Sequence, residues 1–333
     1  MNSLRRLSYV ALALAYLQIV FGAIVRITGS GLGCGDHWPT CKGEWFPPLL
    51  STHLVIEITH RFIAASLLVA IVALLVVAWR RRSEPGVGGP RGVLHTVELA
   101  AALWFAPAIL GAITVWLELP PLVIVVHLLL AVTLLAVLAL AVIRAGGLGG
   151  RAVQQGGVSP RTARGAFAAA TLALIVVAMG AMTANVPAAA AACHGFPLCN
   201  GNVVPHGTPE HVQVTHRVLA FLLFFHMIGL TIAVAKRRES PTVVRATRVG
   251  MSFIILQIVI AASLVSLYLP PVLQSLHEAV GALVWLSLFT LAALARIGAR
   301  SAVAEQERMT PAPAVARGAL RTDAGALARS VEP

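Results

Sequence analysis

One arrangement of four apolar segments is written twice in this chain, and that duplication restricts the fold more than any other feature. The first copy contains Glu57-Ile58-Thr59-His60-Arg61 and, later, Leu119-Pro120-Pro121 with His127 six residues beyond the second proline. The second contains Gln213-Val214-Thr215-His216-Arg217 and Leu269-Pro270-Pro271 with His277 at the same six-residue spacing. A chain built this way has to place two similar bundles side by side. The copies part at one chemically decisive position, where Glu57 is matched by Gln213.

The apolar segments are long enough to cross a bilayer. Hydrophobic residues make up 58% of the chain and charged ones 11%, which sets it apart from soluble domains. Eight spans are expected, at 8–27, 53–79, 94–117, 122–143, 165–186, 211–235, 249–269 and 272–296. Each can cover a hydrocarbon core of ~30 Å as a helix, the form that satisfies its own backbone in lipid. Arg5 and Arg6 precede the first span, but Gly29-Ser30-Gly31 lead into a loop of the repeat and no cleavage site is evident, so a retained helix is expected.

A net charge of +12 raises the question of nucleic acid, and its distribution answers it. Of 25 Lys and Arg, 21 lie in the N-terminus, in 80–93, 144–164 and 236–248, and after 295; the other four are Arg26, Lys42, Arg61 and Arg217. This positive-inside pattern predicts a multi-pass protein of the cell membrane with both termini cytoplasmic, touching anionic headgroups and no nucleic acid. Segments 28–52 and 187–210 then face outward. All four cysteines fall there, so Cys34–Cys41 and Cys193–Cys199 are expected as local disulfides.

The organisation expected is all-α: eight transmembrane helices in two pseudo-symmetric four-helix bundles. Residues 1–143 form the first bundle and 144–164 a cytoplasmic linker. The second bundle spans 165–296, and 297–333, rich in Ala, Arg, Pro and Glu, form a disordered cytoplasmic tail. Because each copy has an even number of spans, the halves are related by an axis along the membrane normal.

Histidines 60, 127, 216 and 277 sit on the second, fourth, sixth and eighth spans, all running inward. Each is five to seven residues past the expected start of its span, roughly 8–10 Å down at about 1.5 Å per residue. Buried polar residues in membrane helices are costly and usually functional. A lone histidine there reads best as an interhelical hydrogen bond, but four at one depth read as ligands. Two per bundle are too few for a three-ligand catalytic zinc site and suit the two axial positions of haem iron. The repeat pairs His60 with His127 and His216 with His277. His95 and His226 have no counterpart in the other copy and read as packing or hydrogen-bonding residues. His37, His53, His194, His206 and His211 lie in outer loops or at helix starts.

Glu57 shares a helical face with His60. It can pair with Arg61 one turn on, yet Arg217 persists beside Gln213, where no ionic pairing exists. That persistence points to separate tasks: Arg61 and Arg217 as candidate contacts for haem propionates, Glu57 as a catalytic carboxylate at the macrocycle edge. Around the cysteines, zinc binding by Cys34, His37 and Cys41 lacks an evident fourth ligand, and a redox-active Cys34–Cys41 pair is an alternative to a plain staple. Trp38, Trp45 and Phe46 suit a lid over the bundle mouth.

The run Gly29-Ser30-Gly31-Leu32-Gly33-Cys34, then Trp38-Pro39-Thr40-Cys41 and Glu57-x-x-His60-Arg61, resembles haem A synthase. The second-half Cys193-His194-Gly195-Phe196-Pro197-Leu198-Cys199-Asn200-Gly201 and both Leu-Pro-Pro…His elements are similar to that family too, over about residues 8–296. The form with a cysteine pair in each half matches best. One departure is His37, where the family pattern has Asp directly before Trp.

The resemblance implies a haem-dependent oxidoreductase that oxidises the C8 methyl of haem O to a formyl group by successive hydroxylations, giving haem A for terminal oxidases. It also implies substrate haem O in the first bundle and resident haem b in the second. The implied partners are an electron donor or acceptor of unstated identity and the enzyme that supplies haem O. The competing readings are a dihaem membrane cytochrome passing electrons between quinone and a partner, and a haem transporter. The cytochrome reading leaves the Glu57 asymmetry and the paired cysteines without a purpose.

Overall fold

The computed structural model describes residues 1–154, 157–202 and 204–309. Its helices are α1 (Asn2–Ile27), α2 (Thr52–Arg80), α3 (Val93–Trp116), α4 (Pro121–Arg144), the single turn α5 (Gly150–Val153), α6 (Pro160–Asn185), α7 (Thr208–Lys236), α8 (Pro241–Ser266) and α9 (Pro271–Met309). All but α5 are long and apolar enough to cross a membrane, eight in number among the described residues.

Helix starts follow local chemistry more closely than hydropathy. Ser51 accepts the Leu54 amide at 3.3 Å and Ser159 that of Thr162 at 3.2 Å, each satisfying a free donor of the first turn. Pro121 and Pro271 occupy the first turns of α4 and α9, where a missing amide costs nothing. The turn before each is the same in both halves. Leu119 and Leu269 take positive φ (64° and 61°) and donate back to Thr114 and Leu264.

Several boundaries differ from the hydropathy reading for this reason. α1, α6 and α8 begin at Asn2, Pro160 and Pro241, several residues before the expected 8, 165 and 249, because polar first turns are still good helix. The second bundle therefore begins inside the stretch 144–164 expected as linker, which also holds α5. At the other end α9 continues through Met309, so 297–309, expected in an irregular tail, are helical; residues 310–333 lie outside the described residues.

α1–α4 pack as one bundle and α6–α9 as the other. They meet through α1 against α9, α4 against α6, and α4 against α9. The first two contacts interchange when the halves are exchanged, and the third lies on the pseudo-twofold axis. Leu135, Leu138, Leu288 and Leu291 fill this seam, fully buried. Polar atoms reinforce it: Trp285 Nε1 donates to Val132 O at 2.9 Å and Tyr16 Oη to Ala279 O at 3.2 Å. Arg26 of α1 pairs with Glu278 of α9. Outward positions such as Val69, Phe105 and Phe225 are 69%, 54% and 63% exposed, an apolar surface that lipid covers.

Candidate functional site

The repeat places the four histidines at matching depth. His60 and His216 lie eight residues into α2 and α7 (52 to 60, 208 to 216), and His127 and His277 six into α4 and α9 (121 to 127, 271 to 277). The expected pairs lie on non-adjacent helices of one bundle, His60 and His127 on α2 and α4, His216 and His277 on α7 and α9.

Glycines make room for these rings. A Cβ on Gly22 of α1 would sit 3.2 Å from His60 Cε1, and one on Gly180 of α6 would sit 3.0 Å from His216 Cε1. Equivalent helices thus carry a glycine against the equivalent histidine, while Gly111 of α3 faces His127 at 3.5 Å. Larger residues would push the imidazoles off line.

The halves differ in what holds the imidazoles. In the second bundle both rings are engaged. His216 Nδ1 bonds Val176 O at 3.2 Å, while Gln257 Nε2 lies 3.1 Å from His277 Nδ1 and 2.9 Å from its carbonyl. In the first bundle Gln18 Nε2 approaches His60 Nε2 at 3.0 Å. There the Nδ1 atoms of both His60 and His127 are buried without a partner, as are the Oε1 atoms of Gln18 and Gln257. Burying such groups unpaired is costly, so these atoms mark places built for something further. Two buried imidazoles per bundle, with buried polar atoms left open beside them, are the donor set that axial ligation of a haem iron would use.

Glu57 and Gln213, 4% and 5% exposed, do the same structural task. Cys34 N–H donates to Glu57 Oε2 at 2.7 Å, and Cys193 N–H to Gln213 Oε1 at 2.8 Å. Each fastens a cysteine loop to its bundle. Disulfides Cys34–Cys41 and Cys193–Cys199 close those loops across separations of 7 and 6 residues.

The arginines fasten the same loops from the other side. Arg61 Nη1 donates to His37 O at 2.8 Å and Thr40 O at 2.7 Å; Arg217 Nη1 donates to Gly195 O, Pro197 O and Leu198 O at 3.0, 3.0 and 2.9 Å. Sequence reasoning separated Arg61 from Glu57. The structure joins them: Arg61 Nη2 pairs with Glu57 Oε1. Arg217 survives beside Gln213 because the loop carbonyls need it, and its Nη2 stays buried and unpartnered.

Sequence reasoning missed Gln18 and Gln257, though an amide inside an apolar span is a signal in itself. His226 bonds Gly165 O across α7 and α6 at 3.0 Å, and His95 is exposed beside Glu98. The first loop reaches across its bundle mouth. Trp38 meets Trp116 of α3 edge-on at 6.4 Å, and Phe46 stacks on Phe62 of α2 at 5.8 Å.

The duplicated histidines and the two fastened loops run through nearly the whole length matched by one family model, described as cytochrome oxidase assembly protein, over residues 5–289. The chain belongs to the COX15-CtaA family. Among curated members, a heme A synthase of Bacillus cereus is 28% identical over 253 residues, covering 75% of this chain and 79% of its own. A heme A synthase of Bacillus anthracis is 27% identical over 248 residues, 73% of this chain and 78% of its own. For a COX15-CtaA protein, the loops, both cysteine pairs and all four histidines lie inside the matched span.

Proposed function

We propose that this membrane protein is a haem A synthase that oxidises the C8 methyl of haem O to the formyl group of haem A through two hydroxylations and loss of water. Substrate haem O lies in the first bundle between His60 and His127, and haem b resides in the second between His216 and His277. The carrying observation is the unequal support of the histidines. A permanent ligand is usually oriented by a bond to its second ring nitrogen, as at His216, whereas a site that takes up and releases substrate has less use for one.

When bound, haem b supplies a one-electron redox centre beside the substrate bundle. The residues of the chain supply the rest. Glu57 is the carboxylate its half alone contains, held by the Cys34 amide and Arg61 on the face that bears His60. Loss of hydrogen from the methyl builds positive character on that carbon, and a fixed anion stabilises it and can receive the proton. Arg61 restrains the carboxylate and the loop together. Arg217, with an open Nη2, is a candidate propionate contact; Arg61 has less freedom for that task. Trp38 and Phe46 cover the mouth of the first bundle. Each hydroxylation replaces a C–H bond by a C–O bond with oxygen from water and releases two electrons and two protons. The electrons leave to a partner protein or quinone, and haem O arrives from the enzyme that makes it.

The deciding experiment is expression with and without a source of haem O, followed by mass analysis of extracted haems. Formyl or hydroxylated haem that appears only with haem O supports the synthase. Two unaltered haems in both cultures identify a dihaem electron carrier, and release of unmodified haem a transporter. Orientation is proposed from charge: fusions after Trp79 and Ala235 should report cytoplasm, and those near Thr40 and Asn202 the outside.

A further inference from the structure

A second site is built at the end of the molecule opposite the cysteine loops. A cavity of about 740 Å³ opens there between the first turn of α6, the end of α7 and α9. Its lining includes Arg161, Arg164, Arg237 and Arg238 against one carboxylate, Glu239.

That carboxylate does not neutralise them. Glu239 is buried, 7% exposed, and its oxygens are taken by neutral donors. Ser159 N–H donates to it at 3.0 Å and Thr162 Oγ1 at 2.6 Å, with the Ser159 hydroxyl as a third donor. Arg237 Nη1 rests on Thr162 Oγ1 at 3.0 Å. Among the residues whose side chains are described, which on α9 end at Val303, none of the four arginines forms an ion pair.

The matching corner of the first bundle is arranged the other way. Arg81 grips Glu84 through two bonds of 2.6 Å and cancels its own charge. Orientation in a membrane requires only that basic residues lie at this end, wherever they are. It does not require four guanidinium groups around one concavity, nor a carboxylate there whose oxygens are taken by neutral donors. Planar guanidinium forks match the oxygens of a phosphate, and the cavity lies where a span gives way to the polar connection, at headgroup level.

We infer that this cavity binds a phosphate group, carried by an anionic lipid headgroup or as free phosphate. The site is independent of the haem chemistry and does not rest on the proposed reaction.

The test uses the full-length protein, purified and stripped of lipid. Its affinity is measured in nanodiscs of phosphatidylglycerol in phosphatidylcholine and, separately, with inorganic phosphate against chloride at equal ionic strength. Each cavity arginine changed to Gln should weaken anionic-lipid binding about fivefold. Arg80→Gln and Arg82→Gln, at the same end of the first bundle, should leave it unchanged. Arg161→Lys with Arg164→Lys keeps the charges that orient the chain, yet loses the fork and should bind more weakly. Binding by the lipid alone identifies a headgroup site; equal arginine-dependent protection by inorganic phosphate identifies a free-phosphate site. Equal losses in the first-bundle controls, or no preference for either phosphate source over phosphatidylcholine and chloride, would overturn the inference.

Discussion

The two bundles share a scaffold down to single hydrogen bonds and differ in how tightly they hold their histidines. In each, a buried side chain on the second helix accepts a cysteine amide and an arginine ties the same loop by its carbonyls. In the second bundle both imidazoles have ring-nitrogen partners; in the first only His60 has one, the Gln18 amide, and both Nδ1 atoms are left open. A carboxylate stands in the looser half and an amide in the tighter one. The architecture is common to both halves, and a few polar differences set them apart; the proposed division between a resident and a substrate haem rests on those differences.

The broadest way to break this contrast is to remove ligands. His216→Ala or His277→Ala should abolish the resident low-spin haem spectrum, since each takes an axial ligand from iron. His60→Ala and His127→Ala should keep that spectrum while haem O goes unconverted. A His216→Ala protein with its resident haem intact would reverse or erase the assignment of halves.

The carboxylate comes next. Glu57→Gln installs the amide already accommodated at position 213, which takes the same amide bond from its cysteine, so folding and bound haem should survive. Turnover should fall by about 10²-fold or more, with hydroxylated haem accumulating. Parental rates of haem A formation would leave Glu57 as a loop fastener and partner of Arg61 alone.

The loops sharpen the comparison further. Opening Cys193–Cys199 should cost about 2 kcal/mol of stability, roughly 30-fold in the folding equilibrium, with activity per folded molecule retained. Opening Cys34–Cys41 should cost similar stability and lower turnover as well, because that loop carries the amide on Glu57 and the aromatic cover. Thermal unfolding and activity of the same preparations separate the two, and equal specific activity in all variants reduces both disulfides to staples.

The smallest expected effect tests histidine support directly. Gln257→Leu should weaken retention of the resident haem about tenfold, as loss of a residue orienting a ligand does. Gln18→Leu should leave the resident spectrum untouched. If the two variants behave alike in a haem-retention assay, the unequal support of the bundles has no functional weight.

Much of this was legible in the chain itself. Apolar runs of bilayer length leave helices as the available solution, and the twofold recurrence of Leu-Pro-Pro…His and x-x-His-Arg sets four histidines at one depth, because helical rise depends on sequence spacing alone. The exchange of Glu57 for Gln213 was equally plain. Spacing along a helix, however, says nothing about which neighbouring helix a side chain meets. That is decided by how the bundle packs and how each helix is rotated. Packing put Gln18 of α1 against His60 but Gln257 of α8 against His277, and by the 150-residue offset that relates His127 to His277 the counterpart of Gln257 is Pro107, which offers no side-chain donor. It also brought Arg26 to Glu278 across the seam and folded the cysteine loops back so that Arg61 met Glu57 and loop carbonyls at once. Depth, periodicity and residue chemistry follow from the order of the residues; partnership between polar groups far apart in the chain is a property of the packed helices.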